Sequence, residues 1–331
     1  MDDGPRRAFS PRRHGVALRT GEHMLQTAMM AIGGGVLSAV VSLMAMTGAP
    51  GGMLLAYFSP LPLMLVGLGL GSAAIPIAVV AGIGVVAGFG GIAAAGVYGG
   101  LHAVPSLLVV RQALTRRPGD ASDPALWYPP GGILTALSVF CAVVIVIGAL
   151  FAGGGIEAGV RHVMDEAMRT AAPDLPAADR AAVVAQIAPV FVGAAGAMWV
   201  LMIAINAVLA QGLLAGRRWN RRPSPRWSEL ALPEWFAWPL VTAAVVGLLA
   251  AGDARYVARN LVLVFAVPYF LVGLAVLHTL ARRTAAKGLL LVTYYVLLAF
   301  AFPAVAGATA AAGMLEQWLG IRRRLPTPPS A

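Results

Sequence analysis

Between His23 and Val110 the chain has no Asp, Glu, Lys or Arg. Unpaired charge is costly in hydrocarbon, so an uncharged run of this length belongs in a bilayer. At about 1.5 Å rise per residue and roughly 20 residues per crossing, it has room for about four spanning helices. Cysteine is almost missing too: Cys141 stands alone inside an apolar run, which excludes an intramolecular disulfide and a cysteine metal cluster. Acidic residues are absent from every long apolar segment, which disfavours a proton- or sodium-coupled carrier that relays through a membrane carboxylate. His14, His23, His102, His162 and His278 are scattered, with no His-Glu-x-x-His pair or carboxylate cluster to hold a metal. A Gly-x-Ser-x-Gly elbow is lacking, so no serine nucleophile has a supporting motif. No catalytic residue, cofactor or metal site is expected, and the chain does not read as an enzyme.

What is present is apolar: 59% of residues are hydrophobic and 11% charged, where soluble domains carry about 25% charged residues. The expected fold is all-α, a polytopic transmembrane helical bundle of about 8–9 spans, with segments at 24–47, 53–71, 73–97, 98–114, 131–151, 190–214, 235–251, 256–281 and 288–313. Turn-forming clusters separate several of them, among them Gly48-Ala49-Pro50-Gly51-Gly52, Pro118-Gly119 with Pro129-Pro130, and Gly153-Gly154-Gly155. Residues 1–22 read as a disordered cytoplasmic tail, 23–321 as the transmembrane domain and 322–331 as a basic, Pro-rich tail. The first apolar stretch is too long for a signal-peptide core and has no cleavage site, so the N-terminus should stay attached.

The formal charge of +10 does not point to nucleic acid, because the arginines sit in short segments between apolar runs, where orientation in the membrane explains them. Arg6, Arg7, Arg12, Arg13 and Arg19 place the N-terminus inside. Arg116 and Arg117, then Arg217, Arg218, Arg221, Arg222 and Arg226, then Arg282, Arg283 and Lys287 all follow an even number of crossings. A ninth crossing would put Arg322, Arg323 and Arg324 outside against the same rule, unless an earlier segment such as 235–251 dips without spanning. Residues 156–189 come out extracytoplasmic. There Ile156, Val160, Val163, Met164 and Met168 recur at helical spacing opposite Glu157, Arg161 and Asp165, which gives an amphipathic helix ended by Pro173. A second helix is expected from about residue 177, the pair forming a solvated hairpin or a lid.

Polar groups inside spans must find partners in lipid, so each is a candidate site residue. Tyr57-Phe58-Ser59-Pro60-Leu61-Pro62 interrupts the second span, because Pro60 and Pro62 remove backbone donors and free carbonyls. Broken helices are where membrane proteins commonly build ligand sites. Tyr98-Gly99-Gly100-Leu101-His102-Ala103-Val104-Pro105 offers a second break with a phenol and an imidazole. Tyr57, Ser59, Pro60, Pro62, Tyr98 and His102 therefore form the expected pocket, suited to a neutral or weakly polar molecule with an aromatic part. Proline kinks with satisfied side chains are the competing reading. Asn206 and Asn260 read as interhelical hydrogen-bonding residues. On the first helix Ala31, Gly35 and Ala39 make a small-residue stripe, which packs within this bundle or receives another membrane subunit.

The Tyr57-to-Pro62 motif, Arg222-Pro223-Ser224-Pro225 leading into Leu232-Pro233-Glu234-Trp235, Tyr269-Phe270-Leu271-Val272-Gly273 and Trp318 before Arg322-Arg323-Arg324 occur in an order that resembles the uncharacterised YybS-like bacterial membrane proteins (domain of unknown function 2232) over about residues 24–324. That family is similar to the substrate-binding S components of energy-coupling-factor transporters. The resemblance implies a bacterial inner-membrane protein that captures a small molecule and docks, through Ala31, Gly35 and Ala39, on a transporter membrane subunit driven by ATPases. The alternative is a non-catalytic scaffold or a protein that interacts with membrane lipids. The apolar segments in excess of six and the long outer insertion depart from the S-component pattern.

Overall fold

The computed structural model describes residues 12–47, 51–120, 122–152 and 155–324. Among them there is no strand, only an isolated bridge between Arg116 and Trp127. The helices are α1 Arg12–Leu43, α2 Gly52–Ala56, α3 Pro60–Leu70, α4 Ala74–Tyr98, α5 Val104–Ala113, α6 Pro130–Phe151, α7 Ile156–Ala171, α8 Ala177–Gly216, α9 Ala237–Leu249, α10 Gly252–Ala281, α11 Lys287–Phe300, α12 Phe302–Leu319 and α13 Ile321–Arg324. Among the described residues six helical stretches are long and apolar enough to cross a membrane, and 234–249 and 287–300 are shorter apolar helices. The chain is an all-α helical membrane bundle. It divides into two compact units, the first Met1–Leu114 with Asn206–Arg222, the second Thr115–Ile205 with Pro223–Ala331. Of the tail expected at 1–22, residues 1–11 lie outside the described residues and 12–22 enter α1; of the tail at 322–331, residues 325–331 lie outside.

In the first unit, Ala74–Ala113 is a continuous apolar stretch of 40 residues, about 60 Å if straight and twice the roughly 30 Å hydrocarbon layer. It does not run straight. Gly91 has φ 82° and ψ 172°, and the Tyr98 hydroxyl returns to within 2.5 Å of where a Cβ on Gly82 would stand. An unbroken helix would hold those two residues about 24 Å apart. The turn expected between 97 and 98 is therefore at Gly91. Gly99, by contrast, keeps helical angles, and the chain passes through a π-helical turn at Gly99–Ala103.

Ala31, Gly35 and Ala39 are buried. A Cβ on Gly35 would lie 2.1 Å from the Ala78 carbonyl oxygen, so the stripe is the seam between α1 and α4. Without side chains in the way, the two backbones reach van der Waals contact, the main attraction available between helices in lipid. Arg221 donates to Gly69 O at 2.9 Å and Arg222 to Ala113 O at 3.0 Å. Both guanidiniums thus sit on the negative ends of helices, α3 and α5, where cations are favoured.

The second unit is organised on α10, which packs against α6, α9 and α12. Phe236, fully buried, stacks on Tyr269 with ring centroids 5.7 Å apart and meets Phe265 edge-on at 5.8 Å. Two features differ from the sequence reading. First, the second insertion helix is no separate element: α8 starts at Ala177 and continues through Pro189. In a regular helix the Gly193 amide would donate to the Pro189 carbonyl. Here Asn260 stands between them, donating Nδ2 to Pro189 O at 3.0 Å and accepting Gly193 N–H on Oδ1 at 2.6 Å. The amide side chain is spliced into the helix, and Gly193 allows it because a Cβ there would lie 2.5–2.7 Å from the Asn260 backbone.

Second, the segment expected as one span at 288–313 is a helical hairpin. Ala301, with φ −122° and ψ 43°, ends α11, and Pro303 sits in the first turn of α12. Tyr294 and Thr309, on opposite sides of the turn, hydrogen-bond through their hydroxyls at 2.9 Å. A hairpin returns the chain to the end it left. Accordingly Arg322, after α12, hydrogen-bonds the carbonyls of Ser228 and Leu230, and the C-terminal arginines share one end of this unit with the loop before α9.

At the opposite end, Arg255 and Arg259 of α10 donate to Ala250 O at 2.7 Å and Gly247 O at 3.1 Å, capping α9. Asp253 accepts from the first amide of α7. α7 is amphipathic as expected, with Glu157 paired to Arg161 at 2.6 Å. Asp165 bridges Arg180 at 2.7 Å and Arg169 at 2.6 Å. Arg180, helped by Arg169, holds the Asp165 carboxyl below its ordinary range.

Candidate functional site

The two prolines shape the first unit's interior. Pro60 and Pro62 cannot donate, so α2 stops at Ala56 and α3 begins afresh at Pro60, with Tyr57, Phe58 and Ser59 in tight turns between. Two carbonyls at this interruption are taken by side chains: Asn206 Nδ2 donates to Tyr57 O at 2.9 Å, and Ser38 Oγ to Ser59 O at 2.6 Å. Ser59 Oγ returns a bond to Ser38 O at 3.1 Å. Tyr98 OH lies 2.8 Å from Ser38 Oγ. Because a carbonyl can only accept, the Ser38 hydroxyl proton is committed to Ser59, and Tyr98 must be the donor to Ser38. Ser38, Ser59 and Tyr98 are at most 2% exposed, so this is a fully buried network with every hydroxyl proton assigned.

His102 adjoins the network on the π-helical turn, its ring 5.8 Å from that of Tyr98 at 48°. Its Nδ1 is buried and has no hydrogen-bond partner. Such a turn opens the helix by one residue and is frequent at functional sites. Pro105 reinforces it by lacking a donor for the preceding turn, and Ser106 Oγ donates to His102 O at 2.6 Å.

Of the residues expected to form a pocket, Ser59, Tyr98 and His102 are brought together. Pro60 and Pro62 are buried at the start of α3. Tyr57 takes part through its carbonyl. The carbonyls that the prolines leave without a helical donor, Ala56 O and Phe58 O, accept from the Ser59 and Leu61 amides at 3.0 Å, and those of Tyr57 and Ser59 from Asn206 and Ser38, where the sequence led us to expect freed carbonyls to face a cavity. Ser38, the centre of the network, escaped notice because a lone serine beside Ala39 reads as one more small packing residue. Its distinguishing signal was that it is polar within a charge-free span. Asn206 and Asn260 hydrogen-bond between helices, as expected. Arg259 escaped notice as the cation inside an otherwise apolar segment.

The second unit has a polar site of its own. Arg322 Nε pairs with Glu316 at 2.9 Å, its Nη1 and Nη2 each donate at 2.7 Å to Ser228 O and Leu230 O, and its backbone N–H reaches Glu316 Oε2 at 3.1 Å. Both side chains of the pair are nearly buried, at 12% and 6% exposed. This clasp borders a cavity of 510 Å³ that Glu234, Thr279, Gln317 and Arg323 also line. Among the described residues no group of three or more His, Cys, Asp or Glu side chains is placed to hold a metal ion.

No curated protein and no solved structure matches the chain. One family does, its model covering residues 36–315 and so taking in α2 to α11 and the Ser38 network. With that coverage the chain belongs to the predicted membrane protein family DUF2232.

Proposed function

We propose that the chain is an integral membrane subunit that captures a small, weakly polar molecule beside His102 in its first unit. The observation that supports this is the buried, unpartnered Nδ1 of His102 next to a hydrogen-bond network that is otherwise complete. A polar atom left unpaired in hydrocarbon costs several kcal/mol, so a bound partner gives the arrangement a reason to exist. The imidazole offers one hydrogen bond, and the Tyr98 ring an aromatic face. This suits a neutral heterocycle better than an ion. Native mass spectrometry of the gently purified protein should show a retained small molecule in the wild type. His102→Phe should lower its occupancy about tenfold, the worth of roughly one hydrogen bond, with the melting temperature kept. An empty wild-type protein, or equal retention by the variant, refutes the reading.

A second reading, a non-catalytic scaffold, is favoured by the seam of α1 with α4. Ala31, Gly35 and Ala39, the surface that would receive a transporter subunit, are covered from within the same unit. Under either reading we place the arginine-rich ends, with the N-terminus, on the cytoplasmic side of a bacterial inner membrane. α7 is then outside. A cysteine introduced at Asp174 should react with an impermeant maleimide on intact cells; reaction only after lysis contradicts this topology.

A further inference from the structure

The end of the second unit that carries the Arg322 clasp holds another cavity, of 250 Å³, against the last turns of α10. Leu271, Leu274 and Ala275 form its floor, and Trp227, Ser228, His278 and Arg282 its mouth. Depth follows from helix geometry. α10 has 30 residues, about 45 Å, more than a hydrocarbon layer of roughly 30 Å, and its apolar run closes on Arg282 and Arg283, charges that belong at headgroup level. From Arg282 down to Leu271 is about 16 Å along the axis. The cavity thus runs from the headgroup layer into the acyl layer, with an indole, the side chain that prefers that interface, at its mouth.

The hydrogen-bonding groups around the cavity divide sharply. His278 is occupied at both nitrogens, Nδ1 by Leu274 O at 2.8 Å and Nε2 by Tyr295 OH at 3.2 Å. Thr279 Oγ1 donates to Ala275 O at 2.7 Å. Among the described residues the Arg282 guanidinium and the Ser228 hydroxyl make no hydrogen bond, and no carboxylate lines this cavity. The acidic residues nearby, Glu229, Glu234 and Glu316, line the neighbouring cavity, and Glu229 and Glu316 are paired with Arg226 and Arg322. What remains is one free cation, one free hydroxyl and the Trp227 indole N–H above an apolar floor.

We propose that this cavity binds an anionic phospholipid, its phosphate on Arg282 and Ser228 and its first methylenes against Leu271 and Leu274. A guanidinium matches phosphate oxygens two at a time. A zwitterionic lipid brings a quaternary ammonium that finds no carboxylate in this cavity, so selectivity for net negative charge follows. The site is independent of the one at His102 and stands or falls separately.

The test uses the full chain, delipidated and then titrated with phosphatidylglycerol or phosphatidylcholine in native mass spectrometry. The wild type should retain one phosphatidylglycerol, with a preference over phosphatidylcholine of about tenfold. Arg282→Gln should abolish that preference, while Arg283→Gln, which removes the neighbouring charge outside the cavity, should keep it. Both side chains are exposed, so both variants should melt with the wild type. Equal retention of the two lipids by the wild type overturns the proposal, as does an equal loss in both variants, which would mean diffuse surface charge. Displacement of the lipid by millimolar glycerol 3-phosphate also overturns it, because the site would then belong to a soluble phosphate.

Discussion

Gly313→Ala is expected to destabilise the second unit by about 3 kcal/mol, the upper end of the usual cost of overpacking. A methyl group at Gly313 would lie 1.9 Å from the Tyr269 carbonyl oxygen and 2.8 Å from the Gly273 amide nitrogen. The approach is mutual: a Cβ on Gly273 would lie 1.9 Å from Thr309 O. Neither obstacle is the end of a flexible side chain, so α10 and α12 would have to move apart along their contact. Gly307→Ala is the control on the same helix. Nothing lies within 4 Å of its Cβ position, and alanine there should be neutral or stabilising by up to about 1 kcal/mol. Thermal melts in detergent separate the two, and coincident melts would mean that the helices do not cross this closely.

The clasp should show the other large effect. Glu316→Gln removes one charge of a buried pair and strands Arg322, and breaking such pairs costs about 3–5 kcal/mol. Arg322→Met leaves Glu316 buried and takes donors from two carbonyls, with a loss of the same size. Combining Glu316→Gln with Arg322→Met should cost less than either single change, about 2 kcal/mol, because no charge is then stranded and only the carbonyl hydrogen bonds are missing. A double-mutant cycle reads this coupling directly. Single variants that lose less than about 1 kcal/mol would show the pair to be solvated.

The bundle itself was visible in the sequence, because a run without charge has only one home. Its turns were harder to place. Gly91 takes the left-handed conformation although Gly88, Gly90, Gly96, Gly99 and Gly100 stand close by, and composition does not say which glycine of several will turn. The hairpin at Ala301 is marked by no glycine cluster, only by Pro303, so hydropathy runs through it unbroken. For the site, Ser59, Tyr98 and His102 stood out as polar groups in lipid, whereas Ser38 was hidden in a packing stripe. The stripe also had two destinations, since small residues admit any helix, and only the folded chain shows that α4 meets it at Gly35. Arg259 was concealed by its apolar neighbours, yet its length lets it reach the end of α9 while its stem stays in contact with the helix surface.

The clasp also bears on the order in which the protein is made. Arg322 follows Ser228 by 94 residues and Leu230 by 92, which at about 5–20 residues per second is a delay of roughly 5–18 s on the ribosome. During that interval two carbonyls of the loop before α9 are without their native donor. Unpaired backbone is tolerated in water but not in hydrocarbon, so the loop has to wait at the membrane surface. It can be sealed against α12 only once Arg322 has been made, so this end of the unit stays open while α9 to α12 are synthesised, and a chain that stops before Arg322 keeps an open end.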